Sequence, residues 1–131
     1  MFLDTAGLIA CQDGGEKHHA QALSLLQRVS RKFTHNYVLA EYAALARLRG
    51  WPRQAALPFL QSLEENPEVQ ILWVDREIHV AARQMLQRQW DKAYSLCDAV
   101  SFILMRDNQE TDALTSDRHF EQAGFRRLLK P

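Results

Sequence analysis

Two acidic residues follow apolar segments of this sequence at positions that a ligand could reach. Asp4 comes directly after the apolar start at residues 1–3, and Asp117 comes shortly after Leu114 and Thr115. Both apolar segments are predicted to be short buried strands. Since open α/β sheets bind their ligands at the carboxyl ends of the strands, Asp4 and Asp117 are candidate functional residues.

A third acidic residue, Glu41, lies within an apolar pattern. Val38, Leu45 and Leu48 share with it spacings of three, four and three residues, which place all four on one stripe of a helix. A carboxylate in the middle of an apolar stripe is costly unless another group pairs with it. Glu41 is therefore predicted either to pair with a buried arginine or to bind a ligand.

A fourth acidic residue, Asp98, precedes a segment that is apolar almost all round. Residues 99–105 are predicted to form a buried helix, and Asp98 lies at its head. One interpretation is structural, because Ser95 and Asp98 have the spacing of a capping box at a helix start. The other is that Asp98 joins a functional site beside the sheet.

The four carboxylates are predicted to share one small pocket. Asp4 and Asp117 lie at the carboxyl edge of the sheet, and Glu41 and Asp98 lie in the first halves of helices that leave that edge. Clustered carboxylates raise one another's pKa, and a divalent cation removes the conflict. Oxygen ligands favour Mg²⁺ or Mn²⁺ over zinc, and Mg²⁺ favours few carboxylates together with a substrate phosphate.

Each acid taken singly also has a structural explanation. Asp4 fits a turn and Asp117 fits the N-cap of a helix, while Glu41 and Asp98 have the alternatives given above. Such explanations do not account for four acids at one edge of a sheet, whereas a shared site does.

Alternating strands and helices must position these acids. Strands are predicted at residues 1–3, 33–35, 69–74, 112–115 and 126–129. Helices are predicted at residues 5–11, 19–31, 36–49, 52–65 with a kink or break at Pro58, after Asp75, 95–107 and 117–123. This order predicts an α/β fold in which helices cover a parallel sheet, with residues 1–131 forming a single domain.

Composition narrows the classes of protein further. The 131 residues carry 16 basic and 16 acidic side chains, which does not indicate a generic basic nucleic-acid binder. We expect no transmembrane helix and no secretory signal, because no uncharged segment is long enough and no basic start precedes an apolar stretch. Two cysteines are too few for a disulfide scaffold or a four-cysteine zinc site, so the expected location is the cytoplasm.

Four segments of the chain resemble the motifs of PIN-domain ribonucleases, and most closely those of the VapC-like toxins of bacterial toxin–antitoxin pairs. They are Phe2-Leu3-Asp4-Thr5, Asn36-Tyr37-Val38-Leu39-Ala40-Glu41, Tyr94-Ser95-Leu96-Cys97-Asp98-Ala99-Val100-Ser101-Phe102 and Leu114-Thr115-Ser116-Asp117-Arg118-His119-Phe120. The four motifs occur in the family's order and at similar intervals, whereas residues 50–89 match only in their pattern of helix, strand and helix.

The resemblance implies a PIN-like three-layer fold, with a central parallel sheet of about five short strands, and cleavage of single-stranded RNA with Mg²⁺ or Mn²⁺. It also implies a homodimer and a small antitoxin protein that covers the site. By this resemblance Asp4, Glu41 and Asp98 would hold the metal, directly or through water. Asp117 would complete the metal's ligands or position the attacking water, and the Thr115 hydroxyl would orient a carboxylate or a water.

Three other functions remain open at this stage. The first is a PIN-domain nuclease of RNA processing or decay that has no antitoxin. The second is a metal-binding or RNA-binding module without catalysis, which the complete set of acids disfavours. The third is a metal-dependent phosphohydrolase acting on small molecules, but the sequence has no glycine-rich phosphate loop.

Several conspicuous residues are predicted to be structural. The neighbouring His18 and His19 face different sides of a helix and cannot chelate one ion together. His119 is predicted to lie in a surface turn, although it could touch RNA, and Cys97 is predicted to be a buried thiol. The remaining expectations are core or dimer-interface positions for Trp51, Trp73 and Trp90, and a solvated sheet edge for Arg126 and Arg127.

Overall fold

A computed structural model describes residues 1–131, and a five-stranded parallel sheet lies at its centre. The strands in chain order are β1 (Phe2–Leu3), β2 (Lys32–His35), β3 (Val69–Leu72), β4 (Asp112–Leu114) and β5 (Arg126–Arg127). Their spatial order is β3-β2-β1-β4-β5, so the first strand of the chain is the middle strand of the sheet. Both residues of β1 are fully buried, as expected of a strand covered on two faces.

Seven helices complete the fold. They are α1 (Thr5–Gln12), α2 (His19–Arg28), α3 (Asn36–Leu48), α4 (Arg53–Glu65), α5 (Arg76–Arg88), α6 (Leu96–Asp107) and α7 (His119–Gln122). The predicted α/β fold is confirmed. None of the helices is long and apolar enough to cross a membrane.

The register of the sheet decides which residues meet at its carboxyl edge. In β1, Phe2 pairs with Ala113 of β4 and Leu3 pairs with Leu114. The chain therefore leaves both strands at the same level, with Asp4 following one and Thr115 following the other. This is the edge that the sequence predicts for a ligand.

Most of α6 is buried, as its apolar sequence predicts. Phe102 and Met105 belong to the main hydrophobic core, while Ala99, Val100 and Leu104 pack against Ala82 of α5 in a smaller cluster. Because α6 is held on several sides, the position of its first turn is fixed relative to the sheet.

Several predicted boundaries differ from the structure: β3 ends at Leu72 rather than residue 74, and α7 covers only His119–Gln122 of the predicted 117–123. Helix α2 ends at Arg28 rather than residue 31, because Val29 turns to extended backbone so that the chain can enter β2. Pro58 neither splits nor ends α4: it is exposed, as is Gln54 four residues earlier, so water can reach the carbonyl that loses its partner. Strand β5 is only two residues long, although the backbone N–H groups of Leu128 and Leu129 still donate hydrogen bonds, the first to Ala113 within β4 and the second to Thr115 just after it.

Gly7 allows α1 to pack closely on β4, and its substitution tests this packing. A Cβ atom at Gly7 would lie 2.0 Å from the backbone carbonyl oxygen of Leu114, so Gly7→Ala must push the helix and strand apart. We expect a loss of roughly 3 kcal/mol or more in the free energy of unfolding, measured by urea denaturation. The matched control is Gly14→Ala, because a Cβ there meets no atom within 4 Å. Equal unfolding midpoints for the two variants would contradict the close approach.

Candidate active site

One pocket at the carboxyl edge of the sheet contains all four predicted acids. Its volume is about 300 Å³, and Asp4, Glu41, Asp98 and Asp117 all line it. We call it the acid pocket. The structure thus brings together the four side chains that the sequence singles out, from two strand ends and two helices.

Thr115 joins two of these acids. Its hydroxyl donates a hydrogen bond of 2.7 Å to Oδ2 of Asp4, and it accepts one of 3.0 Å from the backbone N–H of Asp117. Thr115 is fully buried and Asp4 is only 5% exposed, so neither side chain has much freedom to turn away. The hydroxyl therefore fixes the orientation of the Asp4 carboxylate.

Asp98 combines a structural contact with a place in the pocket. Its Oδ2 accepts a hydrogen bond from the backbone N–H of Ser95, while the Ser95 hydroxyl accepts one from the backbone N–H of Asp98, both at 3.0 Å. The capping box that the sequence suggests is therefore present. It leaves Oδ1 of Asp98 without a protein partner, so capping and ligand binding are compatible.

His119 belongs to this cluster, and its prediction as a simple surface histidine is wrong. Its Nδ1 lies 3.0 Å from Oδ2 of Asp98 and 3.5 Å from Oδ1 of Asp117. Its ring also meets the ring of Tyr94 edge-on, with centroids 5.4 Å apart. The single turn of α7 places this imidazole next to the start of α6, and sequence spacing gives no sign of that approach.

Glu41 faces the pocket at the boundary between core and solvent. Of its apolar neighbours on α3, Val38 is buried, but Leu45 is 36% exposed and Leu48 is 82% exposed. The buried stripe predicted for α3 is therefore wrong beyond Val38, because the face of the helix that packs on the core continues through Tyr42 and Ala46 instead. Glu41 forms no ion pair or hydrogen bond with the protein, and Arg49, which also lines the pocket, pairs instead with acids before α2.

A buried histidine, which the sequence interpretation missed, ties together the helices that carry two of the acids. His35 is the last residue of β2, and its Nδ1 accepts a hydrogen bond from the backbone N–H of Val38 at the start of α3. Its Nε2 lies 2.8 Å from the hydroxyl of Ser101 on α6, and that hydroxyl in turn donates to the carbonyl of Cys97. Burial lowers the pKa of His35 to about 3, so the ring is neutral and donates from Nε2.

Comparison with known proteins identifies the family. The family model that describes the PIN domain matches residues 1–126 of this sequence. The chain belongs to the PIN-domain family. As a PIN domain it is also similar to the 23S rRNA-specific endonuclease VapC20 from two strains of Mycobacterium tuberculosis, at 29% identity over 126 residues and 95% of each chain.

A solved structure agrees with this assignment. The crystal structure of Mycobacterium tuberculosis VapC20, described as a sarcin-ricin loop cleaving toxin, superposes with a TM-score of 0.88. The match covers 99% of this chain and 98% of the other, again at 29% identity. The PIN-like fold that the sequence motifs imply is thereby confirmed.

The donor groups of this PIN domain suit a divalent cation. Ligand atoms of Asp98, Asp117 and His119 lie within 4.8 Å of one another, and the carboxylates of Asp4 and Glu41 line the same pocket. The hydroxyl of Thr5, another lining residue, is buried without a hydrogen-bond partner in the protein. A hard cation with its bound water would satisfy this oxygen-rich set.

The cysteine, the tryptophans and the arginines near the end of the chain that the sequence singles out lie outside the acid pocket. Cys97 is buried, and burial raises the pKa of its thiol, as expected of a structural cysteine. Trp51 packs against the core, but Trp73 and Trp90 are 67% and 84% exposed, so of the two predicted positions, core or dimer interface, the core is excluded for these two. The solvated position predicted for Arg127 is wrong, because its side chain pairs with Glu121 and donates a hydrogen bond to a backbone carbonyl.

Burial is the main cause of the unusual ionisation of Asp4. It raises the pKa of this carboxyl to about 7, against the hydrogen bonds from Thr115 and from the backbone. Repulsion by Asp98 and Glu41 raises the pKa further. The sequence predicts a raised pKa from repulsion among the acids, and the structure shows that burial contributes more.

This raised pKa predicts how the metal-free protein responds to pH. A carboxyl that titrates near 4 when unfolded and at about 7 when folded stabilises the fold only while it is protonated. The contribution of Asp4 to the free energy of unfolding should therefore be fully present below about pH 4. It should fall by on the order of 4 kcal/mol as the pH rises through 7. Urea unfolding midpoints across this range, with EDTA present, measure the loss.

Two variants and one ligand separate the causes of that loss. Asp4→Asn should flatten the profile, whereas Asp98→Asn should remove only the smaller part that comes from repulsion. Saturating Mn²⁺ should also oppose the loss, because it binds the ionised carboxylates of the native state. If Asp4→Asn and the unaltered protein lose stability in parallel, Asp4 is not the titrating group.

Proposed function

We propose that this PIN domain is an endoribonuclease that uses Mg²⁺ or Mn²⁺ to cleave single-stranded regions of RNA. The observation that carries the proposal is the convergence of Asp4, Glu41, Asp98 and Asp117 in one pocket. The similarity over nearly the whole chain to a 23S rRNA-specific endonuclease supports it. A non-catalytic PIN module is disfavoured because all four acids are present.

The residues of the acid pocket would have different roles in the reaction. Asp4, Glu41 and Asp98 would hold the metal, directly or through water, and Asp117 would complete its ligands or position the attacking water. Thr115 keeps the Asp4 carboxylate in place through its 2.7 Å hydrogen bond. When bound, the metal would acidify a water and stabilise negative charge on the phosphate under attack.

We propose ribosomal RNA as the first substrate class to examine. The similar proteins are described as specific for 23S rRNA and as cleaving the sarcin-ricin loop. A hairpin with the sequence of that loop, compared with a hairpin of the same stem and a scrambled loop, tests this choice. Equal cleavage of both would leave a ribonuclease activity without this specificity.

We further propose that the protein is the toxin of a toxin–antitoxin pair, acts as a homodimer and works in the cytoplasm. The exposed indoles of Trp73 and Trp90 are side chains that a protein partner would cover. The alternative is a PIN nuclease of RNA processing or decay that has no antitoxin. A small open reading frame immediately upstream of the coding sequence would favour the toxin.

Asp98→Asn tests the proposed catalysis. Asparagine keeps the shape of the side chain and the ability to cap α6, but it removes a charge that would hold the metal. Since loss of groups that merely orient metal ligands costs 10- to 100-fold, we expect cleavage to fall by more than about 100-fold. Cleavage of the loop hairpin in Mg²⁺ or Mn²⁺ is the measurement, with EDTA as the blank and circular dichroism as the check of folding.

Asp91→Asn is the matched control. Asp91 is also an aspartate, but its side chain is 78% exposed and its only partner is the neighbouring Lys92. This control should cleave as the unaltered protein does. A folded Asp98→Asn variant that cleaves at the same rate as the control would refute the assignment of Asp98.

A further inference from the structure

A second, basic pocket adjoins the acid pocket, and we propose that it binds a backbone phosphate of the RNA next to the one that is cut. This basic pocket has a volume of about 310 Å³ and is lined chiefly by Lys17, His18, Ser116, Arg118 and Arg127. The proposal rests on the proposed function, because it assigns a neighbouring binding site for the same substrate.

The two pockets share part of their walls. Glu16, His18 and Ser116 line both of them, and Ser116 directly precedes Asp117. A strand of RNA with one phosphate at the acids can therefore place the adjacent phosphate at the basic pocket. Arg49, the other cation that lines the acid pocket, is already held by Asp13 and Glu16.

The charges of the basic pocket are available to a ligand. Lys17 and Arg118 are exposed, and neither forms an ion pair or a side-chain hydrogen bond within the protein. Arg127 is held in place by Glu121 and forms part of the wall. The one acidic side chain of the lining, Glu16, already pairs with Arg49 at 2.9 Å, so it does not cancel the free cations.

His18 offers an unpartnered imidazole to a ligand. Its side chain is largely enclosed, at 9% exposed, and forms no hydrogen bond within the protein, but its ring nitrogens still reach solvent. It does not cap α2, which begins with the next residue and has no side-chain cap at all. By contrast, the adjacent His19 is satisfied by the carbonyl of Ala10 at 2.8 Å. Because His18 lines both pockets, its imidazole N–H can donate a hydrogen bond to a phosphate oxygen where the two pockets meet.

A phosphodiester fits these groups best. The guanidinium of Arg118 and the ammonium of Lys17 suit phosphate oxygens, and the uncapped start of α2 adds a partial positive charge. The acid pocket beside them repels a polyanion, so a cationic neighbour would hold the RNA near the carboxylates. Such contacts bind the backbone without reading the bases.

The salt dependence of RNA binding tests this site. The Lys17→Gln/Arg118→Gln variant is made in the Asp98→Asn background, so that the RNA stays intact. Binding of a fluorescein-labelled sarcin-ricin loop hairpin is followed by fluorescence anisotropy over a range of salt at constant Mg²⁺. Because each neutralised phosphate on a single strand contributes about 0.7 to the magnitude of the slope of log K against log salt, loss of this one phosphate contact should reduce that magnitude by about 0.7.

A matched control removes the same charge elsewhere. Arg28 and Arg31 are exposed, form no ion pair and lie just before β2, at the edge of the sheet opposite the acid pocket. Arg28→Gln/Arg31→Gln in the same background should leave the slope unchanged. Equal slopes for the two double variants would overturn the phosphate site.

Modified RNA locates the contact. A neutral methylphosphonate linkage next to the cut site should weaken binding of the Asp98→Asn protein, but should have little effect when Lys17 and Arg118 are already changed. Equal weakening in both proteins would assign that phosphate to other residues and overturn the site. If the unaltered protein cleaves the hairpin, such a failure concerns the basic pocket alone, whereas a protein that neither binds nor cleaves RNA overturns the proposed function as well.

Discussion

The burial of a carboxylate at the end of the middle strand is the constraint on which the site depends. β1 pairs on both sides, so Asp4 leaves the sheet at its most enclosed point and is only 5% exposed. Such a group must be protonated, hydrogen-bonded or bound to a cation. The Thr115 hydroxyl supplies one hydrogen bond, and the neighbouring acids add repulsion that a divalent cation would relieve.

The remaining acids are held by contacts that also build the fold. The capping box fixes Asp98 at the start of α6, and the buried His35–Ser101 hydrogen bond ties α6 to the end of β2, where α3 begins. Glu41 follows on α3 and is left without a protein partner. The same contacts that stabilise the helices thus determine how closely the carboxylates approach, so fold and site cannot be altered independently.

Sequence patterns predict the parts of this molecule that depend on local spacing. The alternation of strands and helices and the acids after strand ends are visible because buried strands and helix caps have short-range signals. His119 and His35 were not predicted as members of the site and its support, since their partners lie 21 and 66 residues away in the chain. The stripe predicted through Leu45 and Leu48 is wrong because α3 carries apolar residues on more than one face, and helical spacing alone does not tell which face packs on the core.

The central claim is that the clustered carboxylates together bind a divalent metal ion. A direct measurement of Mn²⁺ binding tests this claim most simply. Electron paramagnetic resonance counts free Mn²⁺ during a titration of the protein, without any RNA present. The account predicts saturable binding to the unaltered protein and at least about 10-fold weaker binding to Asp4→Asn and to Asp98→Asn, with Asp91→Asn unchanged. Equal Mn²⁺ affinity in all four proteins would contradict a shared metal site.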